Sequence, residues 1–276
     1  MEPRERVPDE PSGRPGSPSR IPSAADGGGV FTLEVCREMA DLEARYFWFR
    51  ARNRLITWAI EEFCPRARSF LDVGCGTGFV LSAIAKARPE MRLYGSEVFS
   101  AGLSFAASRH PSISFTQMDS LHIPFASAFD AIGLFDVLEH VPDDERVLAQ
   151  IHGGLKPGGT VILTVPQHPW LWSRVDEEAG HFRRYSLRDL HGKLEAAGFQ
   201  VVRSTSFMTV VLPAMVVARA FGKNRPQEGR ALGSEFRISP WLNSLFEKAL
   251  AVEFSVIARH HTLPAGGSRL IVARRV

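Results

Sequence analysis

A run of glycines at alternate positions is the strongest chemical signal in the sequence. Residues 70–78 read FLDVGCGTG, so a short apolar stretch leads directly into the glycines. Glycine accepts positive φ and lets a ligand approach the backbone closely, and open α/β sheets bind ligands where such turns follow a strand. A dinucleotide fingerprint would need glycine at position 79, where Phe79 stands, which disfavours NAD. The run predicts a ligand-binding turn, with a plain tight turn as the alternative.

Two acidic residues follow at spacings that suit a nucleoside ligand. Glu97 ends a short segment 19 positions after Gly78, and a carboxylate at the end of a second strand can accept both hydroxyl protons of a ribose. Asp119 follows the third predicted strand and could accept from the amino group of an adenine, against which Met118 could pack. A solvated strand-end acid and a surface turn are the alternatives for Glu97 and Asp119.

Apolar patterning places these residues in an alternation of strands and helices. Strands are predicted at 69–73, 92–95, 113–117, 129–135, 160–165, 199–203 and 269–273, with helices at 79–88, 101–109, 143–155 and 186–197. This alternation indicates an α/β fold with a parallel sheet covered on both faces. We divide the chain into a disordered tail over 1–29, a helical cap over 30–68 and a domain over 69–276. The domain contains a helical insertion at about 204–267.

Composition restricts the function classes. The 276 residues are 45% hydrophobic and 23% charged, and 33 basic against 30 acidic residues give a net charge of +3. This composition excludes a collagen, a coiled coil and a wholly disordered chain, and the charge balance argues against a nucleic-acid partner. No apolar run reaches the roughly 18 residues that span a bilayer. No secretory signal stands out, and three scattered cysteines favour a reducing compartment, so a cytoplasmic location is expected.

The motifs together resemble the class I S-adenosylmethionine-dependent methyltransferases. The matching segments are 71–78, 95–97, 118–119, 129–141 and 155–159, in the family's order. The sequences LEHV at 138–141 and GHFRRYS at 180–186 further resemble the small-molecule branch that includes ubiquinone-pathway methyltransferases. The resemblance implies a Rossmann-like, doubly wound, mostly parallel seven-stranded sheet with helical N-terminal and C-terminal additions. It also implies S-adenosylmethionine as the cofactor.

The resemblance further implies a role for each residue of the cofactor site. Asp72 would orient the glycine turn or meet the methionine ammonium, and Glu97 would hold the ribose diol. Met118 and Asp119 would contact the adenine. Phe135 would line the floor beside the sulfonium. The turn contributes Gly74, Cys75, Gly76 and Gly78 to the cofactor site, and its glycines would pack against the methionine and ribose portions.

Methyl transfer requires an acceptor held in line with the methyl group and, for an oxygen or nitrogen acceptor, a general base. The catalytic candidates Asp136, Glu139 and His140 share one predicted turn after the fourth strand. His168 and His181 lie after the fifth. We expect His140 to act on the acceptor, with a structural role and a divalent-metal ligand as its alternatives. No resident metal is expected, because no second motif completes a ligand shell.

The acceptor site is predicted from a basic loop. His181, Arg183, Arg184 and Tyr185 would clamp a phosphate or carboxylate, because arginine pairs bidentately with such groups; ion pairs with residues 176–178 are the alternative. Residues 207–257 are predicted to form a lid or a packed helical pair, with peripheral membrane contact as the alternative.

The predicted function is methyl transfer to a small-molecule acceptor, hydrophobic or lipid-like. Two alternatives stay open. The first is a nicotinamide-dependent oxidoreductase, and the second is a non-catalytic S-adenosylmethionine-binding protein.

Overall fold

The computed structural model describes residues 32–222 and 238–276, which form an α/β fold around one seven-stranded sheet. The strands are β1 (Ser69–Val73), β2 (Arg92–Glu97), β3 (Ser114–Gln117), β4 (Phe129–Phe135), β5 (Leu155–Pro166), β6 (Phe199–Phe207) and β7 (Ser268–Arg275). The helices are α1 (Leu33–Arg45), α2 (Phe47–Phe63), α3 (Phe79–Ala87), α4 (Ser100–Arg109), α5 (Asp144–Gly154), α6 (Arg174–Glu178), α7 (Leu187–Ala196), α8 (Leu212–Gly222) and α9 (Pro240–Ala258). Short 3-10 turns cover Leu138–His140 and Pro169–Leu171.

The sheet has the strand order β3-β2-β1-β4-β5-β7-β6. The five strands from β3 to β5 are parallel, whereas β7 runs antiparallel to both β5 and β6. Every residue of β1 is buried, as expected for a central strand covered on both faces. The predicted mostly parallel, seven-stranded, doubly wound fold is confirmed.

The order of the strands determines where a ligand can bind. The chain passes from β1 outward to β2 and β3 and then returns to β4 on the other side of β1. The strand order therefore reverses between β1 and β4, and the carboxyl ends of these strands border a crevice. The glycine run follows β1, Glu97 ends β2, and Asp136 follows β4, so the topology brings these three features to the same edge.

Helix signals in the sequence correspond to contacts in the structure. Ser186 caps α7 by accepting a hydrogen bond from the Asp189 backbone N–H at 3.1 Å, and Gly198 after this helix has a φ of +86°. The Ser186 cap therefore starts the helix, and the left-handed Gly198 ends it where the chain must turn. The strand β6 extends beyond the predicted 199–203 because β7 pairs with it from Phe199 to Phe207. The strand β5 begins before the predicted 160–165, at Leu155, which pairs with Phe129 of β4.

The helices α2 and α9 belong to a hydrophobic cluster with residues of the sheet such as Phe70, Phe135 and Ile162. The helices α1 and α2 lie within the segment predicted as a cap, and α8 and α9 within the one predicted as an insertion. The side chains of α2 and α9 pack together, for example Phe47 on Phe246 with ring centroids 5.1 Å apart. The predicted tail over 1–29 and the middle of the insertion, 223–237, lie outside the described residues. Within the described ranges no helix is long and apolar enough to cross a membrane.

Candidate active site

The glycine turn after β1 is anchored to the neighbouring strand. The backbone N–H groups of Gly74 and Cys75 both donate to the Ser96 carbonyl, at 2.8 and 2.9 Å. Gly74, Gly76 and Gly78 have φ values of +73°, +52° and +78°, in a region that residues with a Cβ atom rarely adopt. The sequence needs glycine at these positions because the backbone turns sharply from β1 into α3.

The three glycines differ in their surroundings. A Cβ atom on Gly74 would lie 2.6 Å from Val137 Cγ2, and one on Gly78 would lie 3.1 Å from His110 Cδ2. A Cβ atom on Gly76 would meet nothing within 4 Å. Gly74 and Gly78 therefore allow close packing within the protein, and Gly76 borders open space in which ligand atoms have room.

Glu97 holds the same turn from the end of β2. Its Oε2 accepts from the Gly76 backbone N–H at 3.1 Å, and its Oε1 accepts from those of Val98 and Phe99 at 2.8 and 3.2 Å. The residue is only 7% exposed. Burial raises the pKa of this carboxyl, while the three backbone hydrogen bonds lower it. The carboxylate thus lies against Gly76, the glycine that borders open space.

Asp72 lies buried at the end of β1, with 2% of its surface exposed. Burial raises its pKa to about 8, the Arg52 guanidinium opposes this shift, and the Glu97 carboxylate adds to it. A buried acid of this kind is stabilised in its charged form by a nearby cation. The edge of the sheet therefore has an acceptor for a cationic group of a ligand.

The remaining predicted cofactor residues lie around this edge. Met118 is buried, and its N–H donates to the Glu97 carbonyl at 3.2 Å. Asp119 is half-buried, and its Oδ1 accepts from the Leu121 N–H at 2.9 Å. Phe135 is 6% exposed and stacks on Phe70. The Cys75 side chain lies within the hydrophobic core and burial raises the pKa of its thiol, so only its backbone belongs to the turn's outer surface.

Residues of three helices that the motifs did not mark contact the candidate site. Buried Glu43 of α1 accepts a hydrogen bond from the Thr77 hydroxyl in the glycine turn. Arg109 of α4 donates to the Thr77 carbonyl at 3.2 Å. Arg52 of α2 pairs with Asp136 after β4. The helices α1 and α2 are therefore each fastened to the carboxyl edge of the sheet, at the glycine turn and at Asp136. We call this edge the cofactor edge after the ligand predicted for it; sequence reasoning missed both contacts.

The residues after β4 do not share one exposed helical face. Asp136 has a φ of +57° and is engaged by Arg52. Glu139 is 1% exposed, and neither of its carboxyl oxygens has a hydrogen-bond partner. Burial and the Asp136 carboxylate raise the pKa of Glu139 well above its usual value. His140 is exposed, and of the three it alone can meet an acceptor directly.

His181 lies against His140. The two rings meet edge to face with centroids 4.6 Å apart. His181 Nδ1 lies 3.1 Å from Asp176 Oδ1, and the same oxygen accepts from Arg184 Nε at 2.7 Å. Desolvation and the neighbouring His181 lower the pKa of His140, so its ring stays neutral and can accept a proton near neutral pH.

One nitrogen or oxygen atom from each of Glu139, His140 and His181 lies within 4.8 Å of the others. The sequence showed no second motif that would complete a metal shell beside His140. The fold brings His181 close enough to be a further ligand. The metal-ligand alternative for His140 therefore stays open.

The other members of the predicted anion clamp are engaged within the protein. Arg184 is 8% exposed and forms an ion pair with Asp176 at 2.6 Å. Arg183 pairs with Asp144 at 2.8 Å, and the Tyr185 hydroxyl donates to the same carboxylate, also at 2.8 Å. Binding an anion through these three side chains would require breaking those contacts. His168, after β5, has a φ of +65° and lies beside Trp170.

Comparison with known families identifies related sequences. The profile of a family described as a methyltransferase domain matches residues 40–204. A probable S-adenosylmethionine-dependent methyltransferase of Mycolicibacterium smegmatis is 26% identical over 168 residues, which are 60% of this chain and 64% of that protein. A ubiquinone biosynthesis O-methyltransferase of Pseudomonas paraeruginosa is 28% identical over 121 residues, which are 41% of this chain and 51% of that protein. The matches thus span less than two thirds of the length of these relatives.

A solved structure shares the architecture. Phosphoethanolamine N-methyltransferase 2 of Haemonchus contortus, in complex with S-adenosyl-L-methionine, has a TM-score of 0.55 at 17% identity. The alignment covers 81% of this chain and 52% of that one. At this identity the likeness concerns the fold alone.

Proposed function

The chain belongs to the methyltransferase-domain family, with S-adenosylmethionine as its cofactor, and we propose that it transfers the cofactor's methyl group to a small, hydrophobic acceptor. The observation that carries the proposal is the junction of Gly76 and Glu97. A carboxylate with two fixed oxygens lies against the one glycine of the turn whose Cβ position is open. Such a junction suits a nucleoside whose ribose hydroxyls donate to an acid.

The residues present fit the cofactor on chemical grounds. Asp72 is a buried acid whose pKa of about 8 favours a cationic partner, which suits the methionine ammonium. Glu97 would accept from the ribose hydroxyls. Met118 and Asp119, at the end of β3, would meet the adenine, and Phe135 would border the sulfonium. When bound, the cofactor supplies an activated methyl group on a positively charged sulfur.

The chain's own contribution is to position the cofactor and the acceptor and to exclude water. The ties from Glu43 to Thr77 and from Arg52 to Asp136 hold α1 and α2 on the cofactor edge, which orients the reactants and keeps solvent out. We assign His140 as the group that accepts the acceptor's proton, because its ring is exposed and its pKa is lowered. His181, held by Asp176, orients the His140 ring.

Aromatic side chains favour an apolar acceptor. Phe182 is 57% exposed and follows His181 directly, and its backbone N–H donates to the Glu139 carbonyl at 2.8 Å. Trp170 is 64% exposed beside His168. Exposed aromatic groups at the mouth of a site offer apolar contact to a ligand. We propose peripheral membrane contact through residues 207–257 as a separate property, because a hydrophobic acceptor partitions into lipid, and the proposed methyl transfer does not depend on it.

The proposal is tested by titration and product analysis. Isothermal titration with S-adenosylmethionine should give saturable binding, and titration with NAD should give none. Incubation with methyl-labelled cofactor and separate aqueous and lipid extracts should transfer label to one extract, and mass spectrometry identifies the product. NAD binding without S-adenosylmethionine binding would favour the oxidoreductase. Cofactor binding with no labelled product from either extract would favour the non-catalytic binding protein.

A further inference from the structure

The outward side of α9 carries a stripe of exposed residues. Trp241, Leu245 and Val252 are 69%, 51% and 67% exposed. With 3.6 residues per turn, these three and the exposed Lys248 fall within an arc of about 60°. Ser244, Ser255 and Arg259 are also exposed and widen the arc to about 100°. We call these seven residues the α9 stripe.

The acidic residues of α9 point away from the stripe. Glu247 pairs with Arg50 of α2 at 2.8 Å. Glu253 is 6% exposed, and its carboxylate accepts from the backbone N–H groups of Met208, Thr209 and Val210. Along α9, which is described over its whole length, the stripe therefore holds apolar, hydroxyl and basic side chains and no acid.

The hydrogen bonds to Glu253 also hold residues 208–210 against α9. These residues begin the apolar segment that leads into α8. In that segment Val210, Val216 and Val217 are 43%, 37% and 54% exposed. Residues 210–217 contain no charged side chain. The start of this second exposed apolar segment is held on the Glu253 side of α9.

We propose that the α9 stripe binds the surface of an anionic phospholipid bilayer. An interfacial helix carries tryptophan and aliphatic residues on one side with lysine or arginine among them. Lys248 lies between Leu245 and Val252 along the stripe. A protein partner would have to bury this ammonium group in the centre of its contact, where lysine is depleted. A bilayer lets the side chain extend to the phosphate groups, so lipid matches this surface better than a second copy of the chain.

The stripe is connected to the cofactor edge. Asn243 Oδ1 accepts from the Phe47 backbone N–H at 2.9 Å, and its Nδ2 donates to the Arg45 carbonyl at 3.1 Å. These bonds tie the start of α9 to the junction of α1 and α2. Asn243 lies on the opposite side of α9 from the stripe, so a membrane bound at the stripe would lie one helix diameter, about 10 Å, from the helices that close the cofactor edge. A hydrophobic acceptor that leaves the lipid would pass around α9 to reach this edge. This delivery rests on the proposed function, whereas lipid binding itself does not.

The test is flotation of the full chain with vesicles of phosphatidylcholine alone or with about one third phosphatidylglycerol. We expect binding to the anionic vesicles and weak binding to the neutral ones. Leu245→Glu with Val252→Glu should lower the binding constant at least tenfold. Lys248→Gln should lower it about fivefold on anionic vesicles only, the effect of one positive charge near such a surface. Val202→Glu, at a 42% exposed valine of β6, is the matched control and should bind like the wild type.

Three outcomes would overturn the proposal. They are no flotation of the wild type, equal flotation on both lipids, or an undiminished binding constant for the double variant. Loss of a wild-type dimer in the double variant, by light scattering and without any vesicle binding, would assign the stripe to a second copy instead. Titration of the double variant with S-adenosylmethionine runs in parallel. The double variant should bind the cofactor like the wild type. A failure of lipid binding is therefore seen by flotation, and a failure of the proposed function is seen separately by titration with S-adenosylmethionine.

Discussion

Arg52 of α2 and Asp136 after β4 form an ion pair whose side chains are only 10% and 17% exposed. The Arg52 guanidinium also lies 4.8 Å from the centroid of the Trp48 ring and opposes the raised pKa values of Asp72 and Glu139. One cation from the N-terminal helices thus acts on three acids at the carboxyl edge of the sheet. This connection makes α2 a part of the site.

Removal of this cation should damage both stability and binding. Arg52→Ala removes the ion-pair partner of the part-buried Asp136, and breaking a buried pair in this way costs about 3 kcal/mol. We expect a lower free energy of unfolding in urea and weaker S-adenosylmethionine binding. Arg66→Ala, at an exposed position just after α2, is the control and should change neither. The prediction is contradicted if both variants unfold at the wild-type urea concentration.

The fold followed from the sequence because its signals are local. The strand–helix alternation, the glycine turn and the cap at Ser186 each involve residues a few positions apart, so the fold class and the family were predicted correctly. Glu43 and Arg52 were missed because their partners Thr77 and Asp136 lie 34 and 84 positions away. An acid in an amphipathic helix gives no local sign that it will meet a loop from another part of the chain.

The basic loop shows a second limit of sequence reasoning. Arg183 and Arg184 were predicted to bind an anion, and the structure pairs them with Asp144 and Asp176. The pair with Asp176 was the alternative interpretation for this loop. A sequence shows that an arginine is present, but its partner depends on whether a buried carboxylate lies within reach.

Glu97 should determine cofactor affinity. Glu97→Ala removes the acceptor for the ribose hydroxyls and releases the Gly76 N–H, at a cost of about 1–3 kcal/mol. The dissociation constant for S-adenosylmethionine should therefore rise roughly five- to 150-fold by calorimetry. Glu90→Ala is the control, since this exposed acid pairs with Arg88 away from the turn. An unchanged constant in Glu97→Ala would remove this residue from the site.

Cofactor binding should release a proton from Asp72. Its pKa is raised from 3.8 to about 8, so the carboxyl is largely protonated at pH 7, and a bound cation should drive the proton off. Calorimetry at pH 7 in phosphate and in Tris should show a buffer-dependent enthalpy corresponding to release of roughly one proton. Asp72→Asn should abolish the difference. Equal enthalpies for the wild type in both buffers would contradict this assignment.

The same shift affects the free protein. The native state binds this proton more tightly than the unfolded chain does, so the contribution of Asp72 to stability is fully present below about pH 4. It is lost as the pH rises toward 8. Without cofactor, the free energy of unfolding of Asp72→Asn should fall less steeply than that of the wild type across this window, as measured by urea denaturation at several pH values.

The assignment of His140 is tested by separating turnover from binding. His140→Ala should keep the cofactor affinity and lower turnover by about 10²-fold or more, the usual effect of a general base. The pKa of His140 is lowered from 6.5. Wild-type turnover should therefore decline only when the pH falls below 6.5, where the His140 ring becomes protonated and no longer accepts a proton. Asp176→Asn should alter this acidic limb by changing how His181 is held. Turnover of His140→Ala that equals the wild type at every pH would exclude the base.

Two glycines of one turn should respond differently to the same substitution. Both glycines have positive φ, so alanine at either position carries the cost of a left-handed residue, about 1–2 kcal/mol. Gly74→Ala also places a methyl group 2.6 Å from Val137 Cγ2, which should lower stability by about 1–3 kcal/mol more, and Val137→Ala in the same chain should relieve this second part. Gly76→Ala puts its methyl group into open space. That space is where the cofactor is proposed to bind, so Gly76→Ala should weaken S-adenosylmethionine binding even where the variant is fully folded. Calorimetry at a temperature well below the melting points of both variants separates an effect on cofactor binding from an effect on stability. Normal binding by Gly76→Ala would place the cofactor elsewhere.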